Sequence, residues 1–192
     1  MLIESPIVVV SGLPRSGTSM TMKMLAAGGC PILTDELRTA DADNPEGYFE
    51  FERVKQLHED SSWLSEAGGK AVKIVSFHLA GLPSGYSYKV LFIRRALDEV
   101  LASQRQMLVR NGQEGGSVAD EQLRALYEKH LREVYAWLGR QHGMGVLFLE
   151  HRAALEYPME TAKSIATFLG RTMNVEAMAA AVNPALHRQK SV

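Results

Sequence analysis

The sequence predicts an α/β fold: a central parallel sheet with helices on both faces, three layers in all. Three observations point there. Apolar, β-branched runs at Ile7–Val10, Ala71–Val75 and Lys89–Ile93 have the character of strands buried on both faces, and Gly145–Leu149 adds a fourth strand. Segments with apolar residues at helical spacing separate these runs. The first strand also runs through a glycine-bounded loop straight into a helix. Such a sheet binds its ligands beyond the C-terminal ends of its strands.

In chain order, the first helix starts near Gly17 and stops near Gly28-Gly29. It carries Met20, Met22, Met24 and Leu25, read as core packing; a soft-metal site would need His or Cys at ligand spacing. Thr34–Gly47 is a polar loop, and Phe49–Leu57 and the surroundings of Trp63 read as short helices. A turn cluster at Gly81–Gly85 leads into the third strand. Leu97, Val100, Leu101, Met107 and Leu108 mark the next helix, and Asn111–Gly116 is a polar loop. A longer amphipathic helix carries Leu123, Leu126, Tyr127, Leu131, Val134 and Leu138. Pro158 suits the first turn of another helix and Gly170 its stop, and a last helix spans about Val175–Val182.

With 192 residues, 46% hydrophobic and 22% charged, the chain is expected to form one globular domain over residues 1–192. A net charge of -1 gives no overall attraction to nucleic acid or acidic membranes, so any anion site must be built locally. Cys30 is the only cysteine, which rules out an internal disulfide and suits a reducing compartment. There is no leader-like N-terminus and no apolar run of transmembrane length, so a cytoplasmic protein is expected.

The chemistry concentrates in two places. In Gly12-Leu13-Pro14-Arg15-Ser16-Gly17-Thr18-Ser19, backbone amides converge at a helix N-terminus, where a phosphate can sit. The P-loop pattern G-x-x-x-x-G-K-[ST] has Lys where this chain has Thr18, and the cation here is Arg15, inside the loop. The second place is the end of the third strand, Arg94-Arg95, with Ser103 about two turns into the following helix. Two phosphate sites on one sheet edge suit a nucleotide phosphorylated at two positions. The other reading pairs Arg94 and Arg95 with Asp98 and Glu99 as surface charge.

On these residues the chain resembles the PAPS-dependent sulfotransferases, P-loop enzymes that use 3′-phosphoadenosine-5′-phosphosulfate. Their 5′-phosphosulfate loop, P-[KR]-[ST]-G-T-[ST], is matched by Pro14, Arg15, Ser16, Gly17, Thr18 and Ser19. Their 3′-phosphate motif sets Ser eight residues after a strand-terminal Arg, the spacing of Arg95 and Ser103. Ala96-Leu97 lack the family's frequent Pro, and Glu99 stands where Asp is common. Phe148-Leu149-Glu150-His151 through Pro158, then Phe168-Leu169-Gly170, is similar to the family's strand, turn and helix end, with His151 replacing Tyr. Asn44–Glu50 and Asn183–Arg188 are similar to segments of short bacterial members.

The resemblance implies in-line transfer of a sulfuryl group from PAPS to a hydroxyl or amine, releasing adenosine 3′,5′-bisphosphate, with no metal. Arg15 would stabilise the leaving phosphate. Glu36 is the first choice for the base, with Asp35, Glu50 and His78 as alternatives. Lys73 could reach the sulfuryl group and Arg188 the 3′-phosphate. The acceptor, small or carrier-bound, is not written in the sequence; loops 38–47 and 110–120 are expected to border its pocket. A small P-loop kinase or NTPase, and a nucleotide-binding protein without turnover, are the competing readings.

Overall fold

The computed structural model describes residues 5–35, 49–110, 112 and 117–183. Four strands, β1 (Ile7–Gly12), β2 (Ala71–Lys73), β3 (Tyr88–Arg94) and β4 (Met144–Glu150), form one parallel sheet in the order β2-β1-β3-β4. Val9 stands opposite Val72 on one side and Val90 on the other. The helices are α1 (Thr18–Ala27), α2 (Leu97–Arg110), α3 (Ser117–Leu138), α4 (His151–Glu156), α5 (Pro158–Leu169) and α6 (Val175–Ala180).

Strand alternation sorts the core onto two faces. Val9, Val72, Ile74, Val90 and Phe92 face one side, under Leu57, Trp63, Leu64 and Leu79 and under Val134 and Leu138 of α3. Val8, Val10, Leu91 and Ile93 face the other, against Met22, Met24 and Leu25 of α1, Ile165 and Leu169 of α5, and Met178 of α6. The expected three layers are present. Met22 and Met24 are fully buried core residues. Among the described residues, no helix is long and apolar enough to cross a membrane.

Some elements differ from expectation. β1 runs on through Ser11 and Gly12 because both pair with β3. β2 stops at Lys73, although the amide of Ile74 still donates to the carbonyl of Val10. The short helices at 52–56 and 62–66 are single 3₁₀ turns, and another covers Ser76–Gly81. The turn expected after β4 is the helix α4, which buries His151 and Ala154. Pro158 does open α5, and Gly170, at φ 63, ends it.

The strand order places the site. From β1 the chain crosses to β2 on one side, and from β3 it crosses through α2 and α3 to β4 on the other. The two crossovers part at the C-terminal ends of β1 and β3, where a crevice for ligand opens in such sheets.

Candidate functional site

The loop after β1 lies at that crevice. Gly12 is in close contact with β3: a Cβ there would lie 2.7 Å from the carbonyl oxygen of Ile93 and 2.5 Å from Ser16 Oγ. The amide of Ser16 donates to the carbonyl of Leu13 (3.1 Å), closing a turn inside the loop. Arg15 occupies the left-handed region at φ 68, which is costly for a residue with a side chain. Gly17, at φ 106, precedes α1, and a Cβ on it would meet His151 Cδ2 at 2.5 Å. Among the described residues no side chain caps α1 and no acidic residue occupies its first turn, an N-terminus that suits an anion. Ser16 is buried, and its hydroxyl has no hydrogen-bond partner among the described residues.

Hydrogen bonds join the two places singled out in the sequence. Arg15 Nε donates to Ser103 Oγ at 3.0 Å, and Arg95 Nη1 donates to the carbonyl of Arg15 at 2.9 Å. Arg95 Nε also donates to Glu99 Oε2 at 2.9 Å. Of the surface-charge reading only the pairing of Arg95 with Glu99 holds, and both side chains are largely buried (9% and 8% exposed). Arg94 points elsewhere, pairing with Glu150 and lying 5.1 Å from the centre of the Phe148 ring. Asp98 pairs with Arg124.

Lys73, buried at the end of β2, extends the site toward the start of α1. Its Nζ lies 3.4 Å from Ser19 Oγ and 3.4 Å from Glu50 Oε1. Glu50 is anchored through its carbonyl, which accepts from Thr34 Oγ1 at 2.8 Å and from the Asp35 amide at 3.3 Å. Phe49, just before it, has a left-handed φ of 52. Asp35 accepts from the Glu52 amide at 2.6 Å through Oδ2. Glu36 and Arg188 lie outside the described residues. His78 is set beside His58 and Lys55 and makes no hydrogen bond to the loop among the described residues. No group of His, Cys, Asp and Glu among the described residues could hold a metal ion.

The sequence offered Glu99 only as surface charge beside Arg95 and His151 only as a replacement for Tyr, and it did not single out His130. His130 of α3 shares a 2.9 Å hydrogen bond with Ser76 and stacks on Phe77 at 4.0 Å between centroids. Burial lowers its pKa below the usual 6.5, outweighing the opposing pull of Glu133. Burial also lowers His78, helped by the charges of His58 and Lys55. The unfolded chain thus binds protons that the native state refuses, so stability is present above about pH 6.5 and is lost as pH falls through the lowered values. Urea midpoints should fall between about pH 7 and about pH 5, and H130N should flatten part of that slope. An unchanged slope would place the effect elsewhere.

No protein-family model matches the sequence, and no curated protein matches it either. Solved structures do match. The sulfotransferase domain of the Synechococcus PCC 7002 olefin synthase superposes with a TM-score of 0.62 at 14% identity, over 100% of this chain and 90% of that one. Sulfotransferase STF9 from Mycobacterium avium gives 0.59 at 12% identity, over 100% and 70%. The sulfotransferase domain from the curacin biosynthetic pathway gives 0.57 at 15% identity, over 95% and 89%. At such identities the likeness concerns architecture, and the four-stranded parallel sheet with its flanking helices is an α/β architecture of the same kind: the chain has the fold of the bacterial sulfotransferases.

Proposed function

We propose that the chain is a sulfotransferase that takes PAPS as donor, passes its sulfuryl group to an acceptor hydroxyl or amine, and releases adenosine 3′,5′-bisphosphate. One observation carries this reading: Arg15 of the loop, Arg95 just after β3 and Ser103 of α2 form one hydrogen-bonded cluster at the C-terminal ends of β1 and β3. A doubly phosphorylated nucleotide fits such a cluster. The loop amides and the leftover Ser16 hydroxyl would hold its 5′-side, and Arg95 with Ser103 its 3′-phosphate. Pro14, Gly17, Thr18 and Ser19 shape the rest of the cradle.

When bound, PAPS supplies a sulfuryl group on a phosphate leaving group. Arg15 would offset the charge that develops on that phosphate, and Lys73, beside Ser19, would add a second cation. The base assigned from the sequence is Glu36. Among the described residues, Glu50 is the carboxylate joined through Lys73 to Ser19, which makes it the alternative. The acceptor, small or carrier-bound, reaches the site of a single domain that works in the cytoplasm without metal, nucleic acid or membrane.

Thermal stabilisation by adenosine 3′,5′-bisphosphate without metal tests the donor; saturation at about 100 times Kd corresponds to about 2.7 kcal/mol. Stabilisation by Mg·ATP and not by the bisphosphate would favour a kinase instead. PAPS consumption across an acceptor panel tests turnover. E36Q should then cost about 10²–10⁴-fold in kcat with donor binding kept. Such a loss in E50Q, with E36Q active, would move the base to Glu50.

A further inference from the structure

Two cations of the proposed donor site, Arg15 and Arg95, are held from one face of α2. Glu99 in its first turn and Ser103 one turn later are each 8% exposed. Glu99 accepts from Arg95 Nε at 2.9 Å, and Ser103 accepts from Arg15 Nε at 3.0 Å. Arg95 passes the restraint on, because its Nη1 donates to the carbonyl of Arg15, the loop residue held at φ 68. Among the described residues its Nη2 makes no bond, which leaves that edge for a ligand oxygen. We propose that Glu99 is a positioning residue for the donor: it orients Arg95, which in turn clamps the left-handed Arg15 and keeps the loop amides aimed at the anion before it arrives.

Charge and geometry favour this role over one in stability. A buried ion pair recovers its desolvation cost only when its geometry is good and its remaining donors are satisfied. Here a backbone carbonyl in a strained loop satisfies one of those donors, so the pair fixes a conformation that Arg15 would otherwise leave. With Gln in place of Glu99, Arg95 loses its counter-charge and the hold on the Arg15 carbonyl weakens. The inference rests on the reading of this loop as the donor site, and its test is therefore read in two independent ways.

Hydrogen–deuterium exchange of the ligand-free protein comes first. E99Q should speed exchange at the amides of Leu13, Arg15, Ser16 and Gly17 by about tenfold or more, with α5 and β4 unchanged. R95M/E99L, which removes the pair without leaving a buried charge, should do the same and covers the case in which E99Q does not fold. In turnover, E99Q should raise KM for PAPS by about tenfold with kcat within about threefold, and E99D should fall between the two. Loop exchange at the wild-type rate in both variants would overturn the proposal, whatever the ligand. A loosened loop in a protein that does not bind adenosine 3′,5′-bisphosphate would support the positioning role and overturn the donor reading.

Discussion

Replacing Arg15 with Ala is expected to lower kcat for PAPS turnover by about 10²–10³-fold, the usual loss when one donor to a developing anion is removed. The residue contributes in two ways that the variant separates. Its side chain carries the loop's cation and reaches Ser103 Oγ at 3.0 Å, whereas its carbonyl receives Arg95 Nη1 at 2.9 Å. Ala removes the first and keeps the second, but it must still occupy φ 68, at a cost of about 1–2 kcal/mol. R15G escapes that cost. If the side-chain charge is what matters, R15A and R15G should lose turnover equally, and R15K should keep part of it as a point charge without the planar fork. The affinity for adenosine 3′,5′-bisphosphate should fall less than kcat in all three, because the loop amides and Arg95 remain. Turnover within threefold of wild type in R15G would end the assignment of Arg15 to the leaving phosphate.

The parts of this architecture that were legible in the sequence are those that local chemistry decides. β1 announces itself as an unbroken β-branched run, and α5 is bracketed by Pro158 and Gly170. The loop after β1 could be read because each of its residues serves the same turn. Tertiary placement was legible only where spacing reports it, as with Arg95 and Ser103 on a strand end and the helix after it. Glu99 beside Asp98 looks like charge in an exposed first turn, yet Glu99 is buried and paired with Arg95 while Asp98 lies at the surface. The contact of Arg15 with Ser103 spans 88 residues and depends on β3 lying beside β1. That strand order is not written in any local pattern. The same holds for Lys73, whose partners Ser19 and Glu50 come from two other segments. The 3₁₀ turn at Ser76–Gly81 and the short helix α4 were missed because neither is long enough to show a period.

Replacing Gly12 with Ala should have the largest effect on the fold of any single methyl added to the loop. The new Cβ would lie 2.7 Å from the carbonyl oxygen of Ile93, the residue paired with Gly12 in the β1–β3 ladder. It would also lie 2.5 Å from Ser16 Oγ. A serine side chain can turn away, but a carbonyl inside a parallel sheet cannot, so relief must come from β1 and β3 moving apart at the crevice. With overpacking and backbone strain together, the loss should be about 2–4 kcal/mol, or a fall in Tm of about 5–15 °C for a chain of this size. S16A should not rescue it, because the Ile93 carbonyl stays in place. Gly17 is the useful contrast. There the added methyl meets the ring of His151, a side chain that truncation removes, so H151A should recover part of the loss in G17A while the strain at φ 106 persists. The two glycines therefore separate in a thermal melt of four variants, G12A, G12A/S16A, G17A and G17A/H151A. If G12A melts within about 2 °C of wild type, the loop does not need its close approach to β3.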